Sequence, residues 1–174
     1  NDPKNISKTR EVVESGLRTL SSIQSTPQTF TTLNDFAIKK SAETYANVAQ
    51  EAYQQYGKKA PVISIENPPG GEALSTGEEL KTLIQESRSQ LAKNLRGGGM
   101  SKNESKKVAD QMIGATWDVG HINMMRKKGY SEEDVIKQTK AIAPFVKHVH
   151  LSDNFGLDHT ELPMGMGNVP LKPM

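Results

Sequence analysis

The chain has no cysteine. That excludes disulfides and thiolate metal ligands, and the expectation is a cytoplasmic protein. Aromatic residues make up only 5% of it, too few for a series that stacks bases. No contiguous basic stripe compensates for them, so a nucleic-acid-binding domain is not expected. Long apolar runs are also missing: nothing approaches a membrane span and no signal pattern opens the sequence, so no membrane partner is expected. Neither sign of charge dominates, with a net charge of +2. Hydrophobic content is 34% and mean hydropathy is −0.60, so burial must be concentrated in a few segments. The 174 residues suffice for one domain with a core or for a large piece of a bigger one. Because the first residue is Asn rather than Met, the expectation is a chain processed, trimmed or excised from something longer.

What is present is an alternation of helical and β-like patterns. Ile6 to Ile23 carries Val12, Val13, Leu17 and Leu20 at helical spacing. Ser25 to Thr32, with Pro27 and several hydroxyl residues, reads as a loop leading to an N-cap at Thr32 or Asn34. A second helix follows, with Phe36, Ala37, Ile38, Ala42, Tyr45, Ala49, Ala52 and Tyr53 on one broad face and Gly57 as its stop. Pro61 to Glu66 is a short β-branched run ending in Asn67, Pro68, Pro69, Gly70 and Gly71, a strand entering a tight loop. Thr76 and Glu79 form a capping box ahead of Leu80, Ile84 and Leu91. The run Arg96 to Gly99 reads as a flexible connection, followed by a short helix over Ser101 to Met112 and a strand over Ala115 to Val119. Ser131 caps a further helix with Val135, Ile136 and Ile142, and a third strand spans Phe145 to Leu151. The tail from Asp153 shows little regular pattern.

Strands that alternate with helices imply right-handed crossovers and a parallel sheet. The 32 positions from Asp118 to His150 fit one strand-helix-strand step, and the 52 from Glu66 to Asp118 fit one step with an insertion at the triple glycine. Each strand then ends in metal-binding chemistry: Glu66 in PVISIEN, Asp118 and His121 in ATWDVGHIN, His150 in KHVHLSDN. On neighbouring parallel strands these groups converge on one rim, where oxygen and nitrogen hold a hard or borderline divalent cation such as Mn, Mg, Co or Zn. Strict alternation puts Val62, Ser64 and Glu66 on one face, Thr116, Asp118 and Gly120 with them, and Val146, His148 and His150 on the third strand. His148, one step deeper than His150, reads as a hydrogen-bonded interior imidazole. Met124, Met125, Met164 and Met166 read as adaptable packing, and Lys127 and Lys128 as a solvated helix start.

IENPPG, WDVGHIN, HVHLSDN and LPMGMG, in this order and spacing, resemble the last strands of the xylose isomerase-like TIM barrel superfamily, which includes sugar isomerases and epimerases and the endonuclease IV group. The resemblance covers roughly Pro61 to Val169. It implies an α/β fold, a parallel-stranded partial (β/α)8 TIM barrel limited to its C-terminal half. Residues 1–60 would be a helical segment before the fifth-strand equivalent, and 61–174 the barrel strands, helices and metal-site loops. Glu66, Asp118 and His150 would be ligands from the fifth, sixth and seventh strands. His121 would be a second ligand, as in the nucleases, or a group contacting substrate hydroxyls, as in the epimerases. Relatives carry Asp-x-His before the glycine turn; this chain has His159 and Glu161 there, which a metal can still accept.

The activity so implied is a metal-dependent isomerisation or epimerisation of a small sugar. The cation polarises a carbonyl and stabilises the enediolate formed as the adjacent proton leaves to a carboxylate base, Glu66 or the family's eighth-strand carboxylate. Zinc-dependent phosphodiester cleavage at abasic DNA sites is the competing chemistry, and an inactive half barrel is a third alternative. Open sheet edges imply a homo-oligomer or a complementary barrel half as partner, and weak or absent turnover for the isolated chain.

Overall fold

The computed structural model describes residues 3–22 and 30–174. The chain divides into two compact units, residues 1–32 and 33–174. The second helix packs within the second, sheet-bearing unit. In the first unit, helix α1 (Pro3–Ser22) carries Ile6, Val12, Val13, Leu17 and Leu20, all exposed. An Arg10–Glu14 pair at 2.9 Å links successive turns. Ile23 and residues 25–29 of the expected loop lie outside the described residues.

The second unit is a mixed α/β fold. Helix α2 (Leu33–Tyr56) begins directly after Thr32. Its buried face is Ile38, Ala42, Ala46 and Ala49, narrower than the broad face read from the sequence, and Phe36 is exposed. Three alanines at helical spacing let α3 (Gly77–Gly97) approach closely. Strand β1 (Ile63–Glu66) precedes α3, and α4 (Lys102–Met112), β2 (Ile113–Asp118) and α5 (Val119–Asn123) follow it. Helix α6 (Glu132–Ile142) and strand β3 (Val146–His150) complete the regular elements. The strands form a parallel sheet in the order β1-β2-β3. Thr76 caps α3 in a capping box with Glu79, and Ser131 caps α6 in one with Asp134.

The triple glycine is not the flexible connection expected from its composition. Helix α3 runs to Gly97, and the amides of Gly98, Gly99 and Met100 donate back to the carbonyls of Asn94, Leu95 and Arg96. Gly99, at φ +96°, supplies the left-handed residue that such a cap needs.

Ile65, Ile113, Ala115 and Trp117 point into a core shared with Leu80, Leu83, Ile84 and Leu91 of α3, Val108, Ala109 and Met112 of α4, and Val135 and Ile142 of α6. Trp117 Nε1 donates to Thr139 Oγ1 at 3.1 Å, so the indole is buried without an orphan donor. The opposite face carries Ser64 and Thr116, joined by a 2.8 Å hydrogen bond.

Strict alternation fails on β3. Ala115 pairs with Val146, but Thr116 pairs with His148, so Lys147 is an extra residue in the ladder. Val146 consequently packs against the core, whereas the sequence pattern placed it with the two histidines. The Lys147 stem lies across Gly114, where no side chain fits. His148 is exposed rather than interior, its ring edge-on to His150 at 5.1 Å between centroids, because no element covers this face of β3 among the described residues.

Arg88 of α3 ties the layers together. Its Nε and Nη2 donate to Ile113 O at 2.9 and 2.7 Å, Nη1 lies 3.2 Å from Asp110, and the guanidinium sits 5.0 Å from the Phe145 ring. Replacing it with alanine removes charge-assisted bonds to a buried strand carbonyl, and a loss of about 2–4 kcal/mol is expected. Urea unfolding of Arg88→Ala measures it; an unchanged midpoint would refute the clamp.

A carboxylate and histidine cluster at the strand ends

The cluster begins with how β1 ends. Pro68 cannot continue the ladder, and it biases Asn67 toward extended backbone. Past the last strand pair, Glu66 with Thr116, the side chain of Asn67 replaces a neighbouring strand. Asn67 Oδ1 accepts from Asp118 N at 2.8 Å and Nδ2 donates to Asp118 O at 3.1 Å. Glu66 is thereby held beside Asp118 without a longer sheet. Gly70 N then donates to His121 O at 2.8 Å, an approach so close that any Cβ at Gly70 would collide with the backbone of Met125.

At the end of β2, Asp118 caps α5: its Oδ1 accepts from His121 N at 2.9 Å. The cap does not exhaust the carboxylate, since Oδ2 lies 3.7 Å from His150 Nδ1 and 3.8 Å from His121 Nε2. Glu66 Oε1 lies 3.0 Å from His150 Nδ1 and 3.8 Å from His121 Nδ1. One ligand atom from each of Glu66, Asp118 and His121 fits within 4.8 Å of the others. The Asp118 side chain is 5% exposed, against 40% for Glu66 and 45% for His150, so the group is rooted at its centre and open at one side.

His159 and Glu161 approach from the segment after β3. His159 Nε2 stands 2.8 Å from His121 Nε2, and Glu161 reaches the cluster only through His159, at 4.0 Å. All six residues expected from the sequence therefore lie in one chain of contacts, with Glu161 as its most exposed member. Comparison with known families, with curated proteins and with solved structures finds no match to this chain.

The donor set suits a divalent cation. Two ligands of one ion at about 2.1 Å stand roughly 3.0–3.4 Å apart; the pairs at 3.0 to 3.8 Å need small adjustments, and the Glu66, Asp118 and His121 atoms, within 4.8 Å of one another, would have to draw together to share an ion. Two carboxylate oxygens with imidazole nitrogens match Mn, Co or Zn better than a purely oxygen-seeking ion.

Sequence patterns missed the scaffolding residues. Asp153 is buried, and its backbone pairs with Leu162 through bonds of 2.9 and 2.8 Å. Burial raises the pKa of its carboxyl. The amides of Val169, Gly167, Gly165 and Asn154 donate to it and outweigh that effect, holding it below the ordinary aspartate value. The tail that looked patternless is thus wound around one carboxylate. Asn154 Nδ2 donates to Gly120 O at 2.8 Å, and Asn123 Nδ2 donates to the side-chain oxygens of Asn154 and Asn168 at 3.0 Å each. These contacts fasten the segment carrying His159 to α5. Met124 and Met125 are buried in packing roles, while Met164 and Met166 are exposed. Among the described residues no helix is long and apolar enough to cross a membrane.

Proposed function

We propose that the chain is part of a divalent-metal-dependent enzyme that isomerises or epimerises a small sugar by removing a proton beside the carbonyl and returning one to the neighbouring or to the same carbon. The observation that carries this reading is the meeting of Glu66, Asp118, His121 and His150 at the carboxyl ends of three consecutive parallel strands. That end of a parallel α/β sheet is where such folds place their chemistry. We read the sheet as a portion of a (β/α)8 barrel of the xylose isomerase-like type. Helices cover one face, and the polar row Ser64, Thr116 and His148 lines the other.

Asp118, anchored through its cap and through Asn67, would be the fixed ligand, with nitrogen supplied by His121 and by His150 once its Nδ1 gives up the hydrogen bond to Glu66. A cation bound there supplies Lewis acidity, drawing electron density from a carbonyl and its neighbouring hydroxyl. Glu66 faces the cluster with Oε1 and has Oε2 left to take the proton from the carbon beside the carbonyl and, in an isomerisation, to return it to the neighbouring carbon. The half-exposed Glu66 and His150 leave one side of the cluster open to solvent.

Hydrogen exchange into a ketose panel in D2O, with Mn2+, Co2+, Mg2+ or Zn2+, tests the reading. Slow incorporation of deuterium beside the carbonyl is expected, above that given by the free cation. Glu66→Gln should lower it by about 100-fold or more. Exchange no faster than the free cation alone would overturn the assignment. The close His121–His159 pair favours a second reading, zinc-dependent phosphodiester cleavage. Cutting of a tetrahydrofuran-containing duplex in the absence of ketose exchange would replace the first reading with this one.

A further inference from the structure

Asn67 does more than join two strand ends. Its backbone carbonyl lies 2.7 Å from His121 Nδ1. A carbonyl oxygen has only lone pairs to offer, so the hydrogen must be on Nδ1. In a neutral imidazole the other nitrogen then carries the lone pair, and His121 Nε2 is the atom left for a metal. The same assignment orients the next contact. His159 Nε2 stands 2.8 Å from His121 Nε2, and since the latter can only accept, His159 donates.

We infer that Asn67 is the positioning residue of the cluster, fixing His121 as the Nδ1–H tautomer with its Nε2 lone pair directed to the cation position. The inference rests on the cation site proposed above. Asn67 is fully buried, and three hydrogen bonds converge on it, two from its side chain to Asp118 and one to its carbonyl from His121. One residue thus sets the spacing between Glu66 and Asp118 and the ring orientation of His121. The carbonyl persists in any variant, but its place depends on the side-chain amide, because the segment beyond it, Pro68 and Pro69, has no backbone N–H to anchor it. Outer contacts of this kind, a ligating histidine donating its second N–H to a fixed acceptor, typically change metal affinity by about 10–100-fold.

The His159 contact adds a second consequence. With no cation present, the His159 N–H occupies the lone pair of His121, so cation entry must displace that hydrogen bond. His159 is thus a placeholder at the coordination position, and it could ligate through Nε2 only after giving up the hydrogen there.

Long-range 1H–15N correlation of the histidine rings reads this directly in the cation-free chain. The expected spectrum has His121 protonated at Nδ1 and bare at Nε2, with His159 protonated at Nε2. Zn2+ should then shift Nε2 of His121 and leave its Nδ1–H in place. In Asn67→Ala, His121 should become a mixture of tautomers, and Zn2+ affinity by calorimetry should fall about 10–100-fold. In His159→Ala the Nδ1–H form should persist. A His121 found protonated at Nε2 in the unaltered chain overturns the inference without recourse to any variant, and so does a tautomer that changes when His159 is removed. The expected tautomer with no Zn2+ uptake supports the inference and removes the cation reading alone.

Discussion

Asp118→Asn is expected to abolish cation uptake while leaving the fold intact. The amide keeps an oxygen in the Oδ1 position, so the cap on His121 N is preserved, but the charged Oδ2 that faces His150 and His121 becomes a donor. Affinity for Mn2+ or Zn2+ should fall at least about 100-fold, equivalent to about 2.7 kcal/mol. Asp118→Ala should lose the same binding and, in addition, about 1 kcal/mol of stability through the missing cap. Calorimetric titration together with thermal unfolding separates the two losses. An asparagine variant that binds as tightly as the unaltered chain would show that the carboxylate only caps a helix.

The second large effect is expected at Asp153. Alanine there leaves the amides of Asn154, Gly165, Gly167 and Val169 without their acceptor. Each buried donor without a partner costs about 1–3 kcal/mol, tempered by water entering the loosened loop, so a total near 3–5 kcal/mol is expected. The loss is local. Native-state hydrogen exchange should show protection disappearing over residues 153–169 while β2 and α3 keep theirs. Uniform protection across both would contradict the clasp. The pH dependence has a definite sign. The folded carboxyl titrates below its unfolded value, so its contribution is complete above the ordinary aspartate pKa of about 3.9 and is lost as pH falls through the lower, folded value. Acid should therefore release the segment bearing His159 and Glu161.

The sequence revealed those parts of the molecule whose cause is local. Helix caps at Thr76 and Ser131 announce themselves within four residues. The β-branched runs that end in Glu66, Asp118 and His150 carry both a strand signal and the polar side chains, which is why the cluster is legible in the sequence. The contacts that hold the cluster were not. Asn67 bonds to a residue 51 positions away, and Asp153 reaches 16 positions to Val169. Neither leaves a period in the chain, because a single asparagine or aspartate looks the same whether it ends a turn or organises a loop. The exposure of His148 depends on what covers a sheet face, which no strand pattern encodes. The glycine run misled for the opposite reason: its composition suggests freedom, whereas the backbone hydrogen bonds it closes are a terminus.

The extra residue in β3 decides which side chain meets Asp118. An unbroken ladder continuing from the Ala115–Val146 pair would set Val149 opposite Asp118 and turn His150 toward the helices, because a slip of one position exchanges the two faces of a strand. The misfit at Lys147 shifts the pairing so that the imidazole arrives where the aliphatic chain would have been. Deleting Lys147 would straighten the ladder and still leave His150 opposite Asp118, so the bulge is how this strand, at its present length, delivers its imidazole to the polar rim.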